Sequence, residues 1–358
     1  MTENPLDDFI AEILELPYDP YRGEVTGTEE YEPRYPEAFP AGFEETVWHA
    51  DDGTPISVTY GFHDDLTPRP AVLLANPWLM RKTTPYLVEL ALCLHQNGFH
   101  VCGFDFRGTG QSRRLSEAAF TDGWKEAEDT LALVRDLKSR PNVSLVGGVG
   151  LSFGGAIMTS VVGMDPAGDL AAGIAFSCWT AQPIGFTDSR IRANWVRYVK
   201  DFPDEYLERS AAYYGATKEH LYRQLHHYKA LRDAKVPFLL VHALDDVECL
   251  PKFPIAYAAI AQEQPNTRSL LLSSGGHAAF YDYWWQEALV LRFFKRFLAP
   301  DDERVAVTPR LTRKDYPGAY QPEPTRSSAI VPPLRFNRSD ALALGAIFDD
   351  GPQTRDDR

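Results

Sequence analysis

Apolar runs of strand length alternate with segments of helical periodicity through the middle of the chain. The runs contain no Asp, Glu, Lys or Arg, which is typical of strands that a sheet buries on both faces. They are Ala71–Ala75, His100–Phe104, the run that begins at Val143, and Leu170–Ser177. The helical segments are Tyr86–Asn97, Trp124–Ser139 and the small-residue stretch after Ser152. These repeated strand–helix units predict an α/β fold with a mostly parallel central sheet and helices on both faces.

Two further patterns extend the predicted sheet. Glu45–Ala50 and Pro55–Phe62 alternate polar and apolar residues around the turn Asp51-Asp52-Gly53, which predicts an antiparallel hairpin. In the second half of the chain, a strand is twice followed by a helix. These elements are Val236–His242 with Phe253–Gln262, and Ser269–Leu272 with Tyr283–Leu298.

The alternation stops between residues 181 and 235, where the pattern is helical and rich in Trp and Tyr. Such a block, inserted between strands, predicts a helical cap over one edge of the sheet. We therefore divide the chain into four parts. They are an acidic N-terminal arm at 1–44 with one short helix at Leu6–Leu16, an α/β core at 45–180 and 236–299, the cap at 181–235, and a Pro-rich, largely irregular tail at 300–358.

Charge narrows the range of partners. The 358 residues carry a net charge of −14, and residues 1–45 hold thirteen Asp and Glu side chains against Arg22 and Arg34. This balance argues against nucleic acid and against an anionic membrane surface as partners. The arm and the tail are candidates for contacts with a second copy of the chain or with another protein.

The sequence also indicates the compartment. The four cysteines show no C-x-x-C spacing, so they are expected to be reduced thiols with no disulfide framework or zinc site. No signal peptide and no apolar run of 18 residues is visible. We expect a soluble, cytoplasmic protein without a cofactor or a metal.

Candidate chemistry begins at Gly150-Leu-Ser152-Phe-Gly154, where the apolar run from Val143 meets a helical segment. This is the G-x-S-x-G pattern in the strand–turn–helix setting that it requires. The turn holds the serine in a strained backbone conformation, and both glycines lack the Cβ atoms that would collide there. Ser152 is therefore a candidate nucleophile. The alternative is that it only caps the helix.

A serine hydroxyl needs a base, and the base needs an orienting acid. Two loops after predicted strands offer them, Asp245-Asp246 and Gly275-Gly276-His277. The order Ser, Asp, His along the chain is the order of the α/β-hydrolase triad. We predict His277 as the base and Asp246 as the acid, with Asp245 as the alternative acid. The remaining histidines, His242 among them, are interpreted as structural.

These motifs, together with Asp105-Phe-Arg-Gly-Thr-Gly-Gln-Ser112, resemble those of the α/β-hydrolase superfamily over about residues 45–299, and more loosely those of YheT-like esterases. The resemblance implies an eight-stranded sheet and an oxyanion hole built from two backbone N–H groups. One would be that of Phe153. The other would come from the loop Asn76-Pro77-Trp78, where Pro77 has no N–H, so we expect Trp78 as the donor, with Leu79 as the next choice.

Taken together, these features predict a serine hydrolase that cleaves a carboxylic ester or thioester through an acyl-enzyme. Its substrate would be a small acyl compound with an apolar or aromatic group, bound near Trp78, Trp179 and Trp195. Two alternatives remain open at this point. The same triad could serve an acyltransferase or cyclase, or the fold could serve as a non-catalytic interaction protein.

Overall fold

The structure of the protein, a computed structural model, describes residues 4–16, 38–78, 80–178, 204–217, 220–221, 230–244, 246, 252–272, 275–277 and 283–310. The strands are β1 Glu44–His49, β2 Pro55–Gly61, β3 Arg69–Ala75, β4 His100–Phe104, β5 Val143–Leu151, β6 Leu170–Phe176, β7 Phe238–Ala243 and β8 Thr267–Leu272. The helices are α1 Pro5–Leu14, α2 Pro85–Gln96, α3 Trp124–Ser139, α4 Phe153–Met164, α5 Asp204–Tyr213, α6 Lys252–Glu263 and α7 Tyr283–Leu298.

The described residues form one eight-stranded sheet in the order β1-β2-β4-β3-β5-β6-β7-β8. β1 and β2 form the predicted hairpin, and β2 also runs antiparallel to β4. From β4 to β8 every neighbouring pair is parallel. The prediction of a mostly parallel α/β-hydrolase sheet of eight strands with helices on both faces is therefore confirmed.

Alternating side chains divide the core into two layers on either side of the sheet. In β3, Ala71 and Leu73 pack in the layer that contains α3, α4 and α6, whereas Val72 and Leu74 pack in the layer that contains α1, α2 and α7. This period of two is the side-chain geometry of a strand buried on both faces. It explains why the strands appear in the sequence as continuous apolar runs.

Helix α1 lies on the body of the protein. Asn4 caps it by accepting a hydrogen bond from the Leu6 N–H at 2.9 Å, and Leu6, Phe9 and Ile13 are buried. The Phe9 ring contacts the ring of Phe293 on α7 edge-on, with centroids 5.4 Å apart. The first part of the acidic arm is thus attached to the core through an apolar face.

Part of the segment between β6 and β7 is described, and it contacts the core beside α3. Tyr214, directly after α5, donates from its hydroxyl to the carbonyl oxygen of Ala119 at 2.7 Å. The Trp124 ring at the start of α3 contacts the rings of Tyr214 and His220. This segment therefore packs against the loop that leads into α3.

In the described parts of the chain, no helix is long and apolar enough to cross a membrane. Cys93, Cys102 and Cys178 are free and buried, whereas Cys249 lies outside the described residues.

Candidate active site

Ser152 lies in the sharp turn between β5 and α4. Its backbone has φ 54° and ψ −117°, a conformation that a non-glycine residue rarely adopts and that is often found at functional sites. A Cβ atom on Gly150 would collide with the carbonyl oxygen of Gly154, and one on Gly154 would collide with that of Ala75. The Ser152 N–H also donates to the Phe176 carbonyl at 2.8 Å. The strained turn and the need for two glycines are as the sequence predicts.

Ser152, His277 and Asp246 lie together in a hydrogen-bonded line. Ser152 Oγ is 2.8 Å from His277 Nε2, and His277 Nδ1 is 2.9 Å from Asp246 Oδ2 and 3.1 Å from Oδ1. All three residues are buried, with 6%, 9% and 5% of their surfaces exposed in that order. Since a carboxylate only accepts hydrogen bonds, Nδ1 carries the ring proton and Nε2 is left to accept from the serine hydroxyl.

The parallel sheet brings the three side chains to one edge. Ser152 follows β5, Asp246 follows β7, and His277 follows β8, so all three lie at the carboxyl ends of parallel strands. Gly275 and Gly276 precede the histidine with φ of 152° and 61°. These positive values are accessible to glycine, and they allow the loop to turn back toward Ser152.

The carboxyl of Asp246 also has a second histidine beside it. Nε2 of His242, in β7, lies 3.1 Å from Asp246 Oδ2, and its side chain is buried. Burial alone would raise the pKa of Asp246, but the nearby His277 and His242 outweigh that effect, so that this pKa lies below its usual value. The sequence analysis interpreted His242 as structural. The sequence signal for this contact is the spacing, because His242 lies at the end of β7 and Asp246 follows four residues later.

The loop after β3 borders the other side of Ser152. The tight approach of Gly154 to Ala75 and Asn76 places the start of this loop against the first turn of α4. Phe153 is the first residue of α4, a position whose backbone N–H has no partner within the helix. Trp78 is half-buried in the loop and packs against the core layer of α3 and α4.

Asp122 holds the indole of Trp78. Trp78 Nε1 donates to Asp122 Oδ1 at 2.9 Å, and Asp122 has a φ of 57°. Burial, together with the nearby negative charge of Glu126, raises the pKa of Asp122 to about 7 against the opposing effect of the Trp78 hydrogen bond. Sequence reasoning missed Asp122, because no motif marks the loop before α3.

Phe120 links this loop to the serine turn. Its ring contacts the ring of Phe153, with centroids 5.1 Å apart. The loop that contains Phe120 and Asp122 thus contacts both residues predicted to supply oxyanion N–H groups.

Leu79, Trp179, Trp195 and Asp245 lie outside the described residues. Among the residues that are described, no group of three or more His, Cys, Asp or Glu side chains could hold a metal ion.

The chain resembles solved α/β-hydrolase structures along most of its length. The Pyrococcus furiosus esterase Pf2001 aligns over 78% of this chain and 100% of its own, with 18% identity and a TM-score of 0.54. A 2,6-dihydroxy-pseudo-oxynicotine hydrolase aligns over 74% and 70%, with 19% identity and a TM-score of 0.54. Est1E from Butyrivibrio proteoclasticus with bound ferulic acid aligns over 71% and 99%, with 15% identity and a TM-score of 0.51. At these identities the likeness establishes the fold.

The sequence itself matches one family model. No individual curated protein sequence matches the chain. The model of the prolyl oligopeptidase family matches residues 86–300, which is more than half of the 358 residues. The match includes Ser152, Asp246 and His277, and it supports a serine hydrolase. The chain therefore belongs to the prolyl oligopeptidase family.

Proposed function

We propose that the protein hydrolyses a carboxylic ester or thioester through an acyl-enzyme on Ser152. His277 would act as the general base and Asp246 as the acid that orients it. The observation that supports this most is the continuous line from Ser152 Oγ to His277 Nε2 at 2.8 Å and from His277 Nδ1 to Asp246 Oδ2 at 2.9 Å. An activated serine nucleophile needs this geometry.

In the proposed reaction, Ser152 Oγ attacks the acyl carbon while its proton passes to His277 Nε2. The resulting imidazolium returns that proton to the leaving oxygen or sulfur, and the acyl group stays on Ser152. A water then attacks the acyl-enzyme by the same route and releases the acid. Asp246 remains ionised throughout, because its pKa lies below the usual value, and it stabilises the transient positive charge on His277.

The negative charge that develops on the acyl oxygen would be bound by two backbone N–H groups, those of Phe153 and Trp78. Phe153 is suited to this role because the first N–H of a helix is unpaired within the helix and lies at the positive end of the helix dipole. One such donor contributes on the order of 3 kcal/mol to stabilising the transition state.

For the substrate we propose an apolar or aromatic acyl compound. One of the similar structures is named as an esterase, and another, Est1E, holds ferulic acid. Residues 181–235 would form the cap over the site, with Trp179 and Trp195 joining Trp78 in the acyl pocket. The contacts of Tyr214 and His220 with the start of α3 support a cap that lies at this end of the sheet.

Peptide cleavage is the second candidate, because it is the activity for which the family is named. Matched substrates distinguish the two. We expect p-nitrophenyl esters to be hydrolysed far faster than p-nitroanilides with the same acyl group, including a prolyl anilide, with recovery of the free acid. A higher kcat/KM for an anilide would reject the ester assignment. Formation of a new ester with an added alcohol, in place of free acid, would indicate acyl transfer.

A further inference from the structure

A buried histidine beside Asp246 has no role in the proposed reaction. His242 is the fifth residue of β7, its side chain is buried, and its Nε2 lies 3.1 Å from Asp246 Oδ2. Within the part of the chain that the structure describes, this nitrogen makes no well-aligned hydrogen bond. It is therefore at hydrogen-bond distance from the carboxylate but off the best direction.

A buried ring nitrogen without an aligned partner is costly. A small rotation of the ring or of the carboxylate would align the pair, and hydrogen bonds at active sites often tighten only during turnover. Asp246 Oδ2 cannot donate while it is ionised, so a favourable contact requires the proton on His242 Nε2. The position of His242 Nε2 is therefore that of a hydrogen-bond donor to the carboxylate.

We propose that His242 is a positioning residue that holds the Asp246 carboxylate in place while His277 is protonated. This inference rests on the proposed role of Asp246 and His277. When the Ser152 proton reaches His277 Nε2, Asp246 must keep both its negative charge and its orientation toward Nδ1. His242 Nε2–H would bind Oδ2 from a second direction, and no proton moves to or from His242 in the reaction.

The neighbouring strands give His242 a fixed place. It is paired with Leu271 in β8, and the preceding residue, Val241, accepts a hydrogen bond from the Ser177 N–H at 2.8 Å. His277 and His242 are the titratable groups whose charges lower the pKa of the Asp246 carboxyl most. Loss of the His242 donor would raise the proton affinity of the Asp246–His277 pair as a whole.

The test compares His242→Leu with His242→Gln, using p-nitrophenyl acetate as the probe. Leucine removes the donor, whereas the glutamine amide can donate from a position close to that of Nε2. We expect H242L to lower kcat by about 10- to 100-fold, the effect of losing a hydrogen bond to a charged group. KM should change little, and the acid limb of the kcat/KM profile should move to higher pH. H242Q should recover most of the lost kcat and most of the shift of the acid limb. His49→Gln, at an exposed histidine of β1, is the control.

Two results would overturn the proposal. One is an H242L enzyme with unchanged kcat and an unchanged acid limb. The other is a result in which H242L and H242Q lose kcat equally, both unfold at a lower temperature, and neither shifts the acid limb. That result would mean that His242 has a packing role. The proposed function is tested separately. If the wild-type enzyme neither hydrolyses the ester nor reacts with a fluorophosphonate at Ser152, that function fails, whatever the variants do.

Discussion

Two buried pairs of an acid and a base lie at the same end of the sheet, and they differ in one property. Asp246 is paired with His277, and Asp129 on α3 is paired with Arg107 in the loop after β4. In both pairs the carboxylate is almost fully buried. Arg107 donates from Nε to Asp129 Oδ2 at 2.7 Å and from Nη2 to Oδ1 at 2.5 Å.

The difference lies in what the base can still do once it has bound its acid. The third nitrogen of Arg107, Nη1, donates to Asp52 and to the Tyr214 hydroxyl, each at 2.9 Å. A guanidinium has no acceptor and keeps its proton at any relevant pH. His277 uses one nitrogen for Asp246 and presents the other to Ser152 Oγ. A buried ion pair therefore becomes a candidate for catalysis only where one partner can exchange a proton with a nucleophile.

The largest effect is expected at the nucleophile, because only the histidine pair has one. Ser152→Ala should lower kcat by about 10⁵-fold or more and leave the unfolding temperature almost unchanged, since a small side chain is removed without forming a cavity. Hydrolysis of p-nitrophenyl esters measures the first quantity and calorimetry the second. Ser160→Ala, in the same helix, is the matched control and should retain activity. An S152A enzyme with activity near that of the wild type would contradict the assignment of Ser152.

The next largest effect should follow from neutralising the acid of the histidine pair. Asp246→Asn favours the wrong tautomer of His277 and should lower kcat by about 10⁴-fold, as in other triads. The corresponding change in the arginine pair, Asp129→Asn, should act on stability and leave kcat of the folded protein near the wild-type value. Asp245→Asn should have a much smaller effect than D246N on kcat. The reverse ranking of these two variants would make Asp245 the acid.

Disrupting the pair of Arg107 and Asp129 should lower the free energy of unfolding and leave kcat of the folded protein near the wild-type value. Arg107→Met leaves Asp129 as a buried carboxylate without its main partner, which typically costs about 3–5 kcal/mol of unfolding free energy. Denaturant unfolding measures this loss, and active-site titration with a fluorophosphonate corrects kcat for the folded fraction. Asp129→Leu combined with R107M should recover part of the stability, because a well-packed apolar pair replaces the lone charge. A large loss of kcat in folded R107M would mean that the arginine pair also serves the reaction.

The sequence predicts one of these pairs much better than the other. Ser152, Asp246 and His277 follow strands that run parallel, so their convergence at one edge can be deduced from strand order alone. The partnership of Arg107 with Asp129 depends on how a loop meets a helix. The contact of Trp78 with Asp122 likewise joins two loops that are 44 residues apart, and it depends on the positive φ of Asp122. No periodicity in the sequence encodes such loop geometry.

A third buried carboxyl, that of Asp122, should produce the smallest effect, and one that depends on pH. Its pKa of about 7 in the folded protein, where burial raises it, lies above the 3.8 of an ordinary aspartate. Between about pH 4 and pH 7 the folded state therefore holds a proton that the unfolded state has released. The unfolding free energy then falls as pH rises through this window, by at most about 1.4 kcal/mol per pH unit.

Asp122→Asn removes that proton equilibrium while keeping an acceptor for the Trp78 indole, and asparagine tolerates a positive φ. The variant should therefore gain stability relative to the wild type as pH increases from 5 to 7, and the two should converge toward pH 4. Urea unfolding at several pH values gives this difference directly. Glu117→Gln, an exposed carboxyl in the same loop, should show no such trend. A constant difference between D122N and the wild type across the window would mean that Asp122 is already ionised in the folded protein, as Asp246 is.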